Sequence, residues 1–196
     1  MRSGVVVAGG RSTRFGPGDK ALAEFDGEPL VRRVADSVGA VVDELVVNGR
    51  ADQVAGFRDA LDGVPVRTRY AIDDEPDRGP VAGMANGLRV ADGTLAVVTP
   101  CDMPTLDPDF LDSLFHDAAD RPGAVPLFDG QRQPFPGVYR VAPATDACRG
   151  VLRAGDGSLQ AVLDRLEPVV VPEATVRERT EPSTFRNVNT PADLRE

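Results

Sequence analysis

The densest chemistry in this 196-residue chain lies in Ala8-Gly9-Gly10-Arg11-Ser12-Thr13-Arg14-Phe15-Gly16-Pro17-Gly18-Asp19-Lys20. Its glycines let backbone amides approach a ligand closely, and two arginines and a lysine supply positive charge, a combination suited to a polyphosphate. Neither common phosphate-loop pattern is present: no Gly-Lys-Ser/Thr follows at P-loop spacing, and there is no G-x-G-x-x-G. On glycine content alone, an unspecialised surface loop accounts for the segment as well. The lysine adds weight to the phosphate reading, because Lys20 is the single lysine beside 21 arginines. A lysine kept against that bias points to work that needs a compact ammonium rather than a planar guanidinium, such as reaching a phosphate.

Candidate partners for such a loop are spread along the chain. Asp102 follows the apolar run 94–99 (TLAVVT). A carboxylate at the end of a strand can hold Mg²⁺ against the phosphates of a nucleoside triphosphate, since that ion takes one or two carboxylates plus substrate oxygens. A cap on the turn before Met103-Pro104 is the plainer role. Asp73 heads the run Asp73-Asp74-Glu75-Pro76-Asp77 and is taken as the acidic residue facing the nucleotide, with Asp74 one position away. Asn48 is assigned to the base or ribose, against a simple turn role before Gly49. Asn187 and Asn189 precede Thr190-Pro191-Ala192-Asp193, which reads as a helix start with Thr190 as its cap. Cys101, Cys148 and the one histidine, His116, are too few for a thiolate or His-rich metal centre, so any metal must sit on oxygen ligands. His116 lies on a helix surface beside an apolar stripe, and Cys101 reads as packing.

Positioning these groups requires strands that end where the loops begin. Residues 3–8 (SGVVVA), 44–48 (ELVVN), 66–72 and 94–99 read as strands, separated by helical stretches from Pro29, over 51–61 and over 81–90. A further helix starts at Asp107-Pro108, an N-cap followed by proline. Strands that alternate with helices imply an α/β fold around a mostly parallel sheet. Beyond Pro122 the pattern turns mixed: strands at 124–128 and 133–141, helices at 144–154 and 158–166, a strand at 169–171 and a closing helix from Thr190. One domain, 1–196, is expected, with a nucleotide-binding half to about residue 105 and an acceptor-binding half from about 106.

With 31 acidic against 22 basic side chains, the net charge is −9, which disfavours nucleic acid and anionic membranes as partners. No apolar run approaches the roughly 20 residues needed to cross a bilayer, and residues 1–7 lack a secretory core, so a cytoplasmic location is expected. Asp outnumbers Glu 22 to 9, a surface resembling that of proteins from salt-loving organisms.

The order of these motifs resembles the MobA family of molybdenum cofactor guanylyltransferases. AGGRSTRFGPGDKAL matches the family's signature loop, and VVNGR, Asp73 before Gly79-Pro80-Val81-Ala82-Gly83, PCDMP, the Gln133-Pro134 to Tyr139-Arg140 strand and FRNVNTPADL follow in order. The resemblance spans nearly the whole chain and implies a three-layer, Rossmann-like nucleotidyltransferase fold. It implies transfer of GMP from GTP to Mo-molybdopterin with release of pyrophosphate, with Mg²⁺ as cofactor. It further implies that Ala8, Gly9 and Gly10 supply amides, Arg14 and Lys20 bind phosphates and Asp102 binds the metal. Asn48 and Asp73 would place the nucleoside, and Asn187 and Asn189 would face the acceptor. An apo-molybdoenzyme or its chaperone is a further partner consistent with that role. A relative using another phosphate acceptor or CTP, or a non-catalytic accessory protein that carries nucleotide or cofactor, remains the alternative. Ala8-Gly9-Gly10 and the Gly79–Gly83 segment favour GTP.

Overall fold

The computed structural model describes residues 1–10, 15, 18–73 and 78–195. The chain opens with β1 (Arg2–Val7), then a small hairpin of β2 (Glu24–Phe25) and β3 (Glu28–Pro29), whose turn residues Asp26 and Gly27 both take positive φ, 51° and 81°. It continues through α1 (Leu30–Gly39), β4 (Glu44–Gly49), α2 (Val54–Ala60), β5 (Arg67–Ile72), α3 (Pro80–Val90) and β6 (Leu95–Pro100). The second half contains α4 (Pro108–Asp117), β7 (Gly123–Phe128), β8 (Gln131–Arg132), β9 (Gly137–Arg140), α5 (Val141–Arg153), α6 (Leu159–Leu166), β10 (Val169–Val171) and α7 (Glu173–Arg179).

The main sheet runs β10-β7-β9-β6-β1-β4-β5, with β8 paired to β7. β1, β4, β5 and β6 are mutually parallel, so their carboxyl ends share one rim. β9 enters antiparallel to both β6 and β7, which makes the second half mixed, as the sequence indicates. Alternate side chains of each strand feed opposite faces. Val6, Leu45, Val47 and Val97 pack against α1, α2 and α4 on one side. Val5, Val46, Ala96 and Val98 pack against α3, α5 and α6 on the other. Both faces are covered, which is why these strands read as near-continuous apolar runs rather than alternating ones.

Two expectations need correction, and one helix went unread. The 133–141 strand is reduced to Gly137–Arg140, because Pro134 and Pro136 have no N–H to give a ladder. No α-helix follows Thr190: the Asp193 carboxylate accepts from the N–H groups of Asn189 and Thr190 (2.7 and 2.8 Å), and a single 3₁₀ turn, Asp193–Arg195, remains. α7 was not expected; it is a seven-residue helix anchored by one buried side chain, Val176, too little for a periodic signal. By contrast α4 starts as anticipated, with Asp107 accepting from Asp109 and Phe110 N–H.

Candidate active site

The rim where β1, β4, β5 and β6 end opens into a cleft of about 340 Å³. From β1 the chain goes on to β4 and from β6 to β7, toward opposite edges of the sheet, so the cleft lies where the strand order reverses, the switch point at which open α/β sheets bind ligands. Ala8, Gly9 and Gly10 line the cleft from the end of β1, Asn48 from β4, Asp73 from β5, and Cys101 and Asp102 from β6. Lys20 joins them on a 3₁₀ turn, Lys20–Leu22, which is capped when Asp19 accepts the Ala21 N–H (3.0 Å). Ligand-lining residues assigned from sequence to the nucleotide are thus brought together. Arg14 and Asp74 lie outside the described residues.

Lys20 and Asp102 stand 82 positions apart and meet as an ion pair, Nζ to Oδ2 2.5 Å. Both side chains are largely withdrawn from solvent, 9% and 19% exposed, so the pair is screened far less than a surface bridge. The other oxygen, Asp102 Oδ1, is buried and has no hydrogen-bond partner among the described residues. A buried carboxylate oxygen without a donor costs free energy unless a cation or donor completes it. Among the described residues there is no cluster of three or more metal-ligating side chains. The buried Oδ1 of Asp102 offers one carboxylate ligand, which suits an ion that would draw its other ligands from substrate oxygens. Burial drives the neighbouring Cys101 thiol well above its ordinary pKa, which leaves it a neutral packing group.

A second group of cleft-lining side chains is organised around Asp73. Its Oδ1 accepts from Asn48 Nδ2 (2.7 Å) and Asn86 Nδ2 (2.9 Å), and its N–H is held by the Gly49 carbonyl. Asp73 Oδ2 lies so close to Gly9 that a β-carbon there would force the Asp73 carboxylate to turn away. Asn48 is fully buried and spends its amide hydrogens on Asp73 and the Ala71 carbonyl, while its Oδ1 has no partner among the described residues. A β-carbon at Gly83 would sit 2.5 Å from that oxygen, so the glycine lets α3 close over Asn48.

Asn187 and Asn189 are exposed on either side of Val188, which is fully buried with Phe25 and Leu30. The Val188 N–H donates to the Asp102 carbonyl (2.8 Å), so this segment is tied to the metal-candidate residue through backbone. Sequence reasoning missed Asn86, Arg50 and Gln53. For the last two, the i, i+3 spacing at a helix start is the signal that could have drawn attention.

A cleft at the carboxyl rim of a mostly parallel sheet covered on both faces by helices, lined by a glycine loop, an ammonium and a strand-end carboxylate, defines a Rossmann-like nucleotide-binding α/β protein. The chain belongs to the MobA-like NTP transferase domain family, whose model matches residues 4–176, and is accordingly a nucleotidyltransferase. It is 42% identical to a probable molybdenum cofactor guanylyltransferase from Natronomonas pharaonis, covering 98% of this chain and 95% of that one. It is 39% identical to a protein of the same description from Haloferax mediterranei, over 99% and 91% of the two chains. The crystal structure of molybdopterin-guanine dinucleotide biosynthesis protein A from Archaeoglobus fulgidus shares the fold, with a TM-score of 0.77 at 24% identity over 100% and 95% of the chains.

Proposed function

We propose that this protein transfers GMP from Mg·GTP to the terminal phosphate of Mo-molybdopterin, forming the guanine dinucleotide cofactor and releasing pyrophosphate. The observation that carries the reading is the convergence of Gly9, Gly10, Lys20 and Asp102 on one cleft, in a chain whose relatives are described as guanylyltransferases. The acceptor oxygen belongs to a phosphate and is already ionised, so no strong base is needed. An oxygen of the acceptor attacks the α-phosphorus, the bond to the β-phosphate oxygen breaks, and pyrophosphate departs. Rate acceleration then rests on in-line placement and on offsetting phosphate charge.

In this reading the loop amides from Gly9 and Gly10 hold phosphate oxygens, and Arg14 adds charge. Lys20 exchanges its contact with Asp102 for the triphosphate. Asp102 would hold Mg²⁺, which supplies further positive charge at the phosphates. Asp73, steadied by Asn48 and Asn86, accepts from the nucleoside, and the unpartnered Asn48 Oδ1 is a second acceptor. The half from about residue 106 receives the acceptor, with Asn187 and Asn189 beside it. No helix among the described residues is long and apolar enough to cross a membrane.

The donor is GTP rather than CTP. A site whose buried acceptors are matched by one base penalises another that leaves them unpaired, by about 1–3 kcal/mol per group. Side-by-side kinetics with both triphosphates and molybdopterin as acceptor should give kcat/KM at least about tenfold higher for GTP. A preference for CTP would overturn the guanylyl assignment and leave the fold standing.

A further inference from the structure

Gln53 carries no charge and belongs to none of the motifs read from the sequence, yet it is only 3% exposed and its side-chain amide is fully engaged. Its Oε1 accepts from the Arg50 N–H (2.8 Å), and its Nε2 donates to the Ala8 carbonyl (3.1 Å) and to Asp19 Oδ2 (2.7 Å). Ala8 closes β1 on one side of the glycine loop. Asp19, on the other side, caps with its second oxygen the turn that carries Lys20. One buried amide thus ties the loop's first residues to the lysine. The neighbouring Arg50 reinforces the same end: its Nη1 donates to the carbonyls of Gly9 and Gly10 (3.1 and 3.2 Å). In a trans peptide the N–H points away from the carbonyl. Anchoring the Gly9 carbonyl to Arg50 therefore turns the Gly10 N–H away from that guanidinium.

We propose that Gln53, backed by Arg50, is a positioning residue that fixes the span between the loop amides and the Lys20 ammonium, and so makes the cleft prefer a triphosphate over a monophosphate. The inference rests on the reading of this cleft as the donor-nucleotide site. A monophosphate is held at one end of the span and is insensitive to its length. A triphosphate must engage both ends at once, and a flexible lysine end would lower its affinity by the ordering it then requires.

Calorimetric titration of Mg·GTP and of GMP tests this in wild type, Gln53→Leu, Gln53→Glu and the pair Gln53→Glu/Asp19→Asn, with melting temperatures recorded alongside. Gln53→Leu should weaken Mg·GTP about tenfold or more, the loss of a charge-assisted hydrogen bond, and GMP less than about threefold. Gln53→Glu sets a carboxylate against Asp19 and should lose more. Adding Asp19→Asn restores a donor–acceptor contact between the same two positions at unchanged size and should recover part of the Mg·GTP affinity. That pair makes the same test if Gln53→Leu is too unstable to titrate. Equal losses for both nucleotides, or no recovery in the pair, would reduce Gln53 to a structural brace. Wild type that binds Mg·GTP, with Gln53→Leu unchanged, overturns the role of Gln53 alone. Wild type that binds neither nucleotide overturns the donor-site reading itself.

Discussion

Lys20 and Asp102 are each other's partner in this structure, and each is assigned to a component of the donor, the lysine to phosphate and the carboxylate to metal. The pair neutralises two charges that would otherwise be stranded in a part-buried cleft, where removing one partner is costly. Asp102→Asn should remove most turnover, because a neutral amide matches the shape but is a far poorer Mg²⁺ ligand, and should lower the melting temperature while leaving a folded protein, because Lys20 loses its carboxylate; turnover equal to wild type would exclude Asp102 as the metal residue. Lys20→Ala should have the opposite profile toward metal. With its cation gone, Asp102 is left unpaired, so the melting temperature should fall. Added Mn²⁺ without nucleotide should then raise it by more than it raises the wild type. A thermal scan with and without Mn²⁺ checks this, and identical shifts in both proteins would mean that the lysine does not occupy the metal's carboxylate.

At the scale of elements, the far end of the sheet is tied by a buried carboxylate. Glu44 opens β4, is 1% exposed, and accepts from the Ser3 hydroxyl of β1 (2.7 Å), the Asp92 N–H (2.6 Å) and Arg67 of β5 (2.8 Å), with Arg69 at 3.5 Å. Burial pushes the Glu44 carboxyl up, but the hydrogen bonds from Asp92 N–H, Ser3 and Arg67 together outweigh it and hold the pKa below the usual carboxylate value. The unfolded chain therefore binds this proton more tightly than the folded one. Glu44 contributes stability that is complete above the unfolded pKa, about 4.3, and is lost as pH falls through the lower folded value. Urea unfolding between pH 3 and 7 should show Glu44→Gln less stable than wild type by about 1–3 kcal/mol at pH 7, with the gap narrowing on the acid side. A gap that stays constant across that window would remove the linkage. Because this network lies opposite the cleft, GTP binding should change little.

For the molecule as a whole, the −9 charge acts over all its surface. Many of its ion pairs are exposed, such as Arg132–Asp164 and Arg177–Asp129, and are worth about 0–1 kcal/mol each. Salt weakens those pairs and at the same time screens the repulsion among excess carboxylates, over a Debye length of about 10 Å at 0.1 M. With repulsion the larger effect, the melting temperature should rise from low to molar KCl. A flat or falling curve would remove the salt-adaptation reading and reduce the near-absence of lysine to composition.

The sequence by itself determined what could be encoded locally. Apolar β-branched runs ending in Ala8-Gly9, Asn48, Asp73 and Pro100-Cys101-Asp102 mark strands and place their polar residues at strand ends, and Asp107-Pro108 marks a helix start. From these, the α/β class, the parallel first half and most of the cleft follow. Local signals also misled where tertiary contacts prevailed. Thr190-Pro191-Ala192-Asp193 has the form of a helix start, but Asp193 folds back onto the Asn189 and Thr190 amides as the tail docks through Val188. Only the assembled sheet decided which groups meet. The order β6-β1-β4-β5 sets Asp102 beside Lys20, puts Asn86 and Asn48 on one oxygen of Asp73, and closes Gln53 over Ala8 and Asp19. Those pairs are held by strand order and helix packing across long stretches of chain. A neutral Gln or Asn bears no local mark of the partner it will reach, and a strand residue such as Glu44 is buried with its charge intact only because Ser3, Asp92 and Arg67 arrive from other elements.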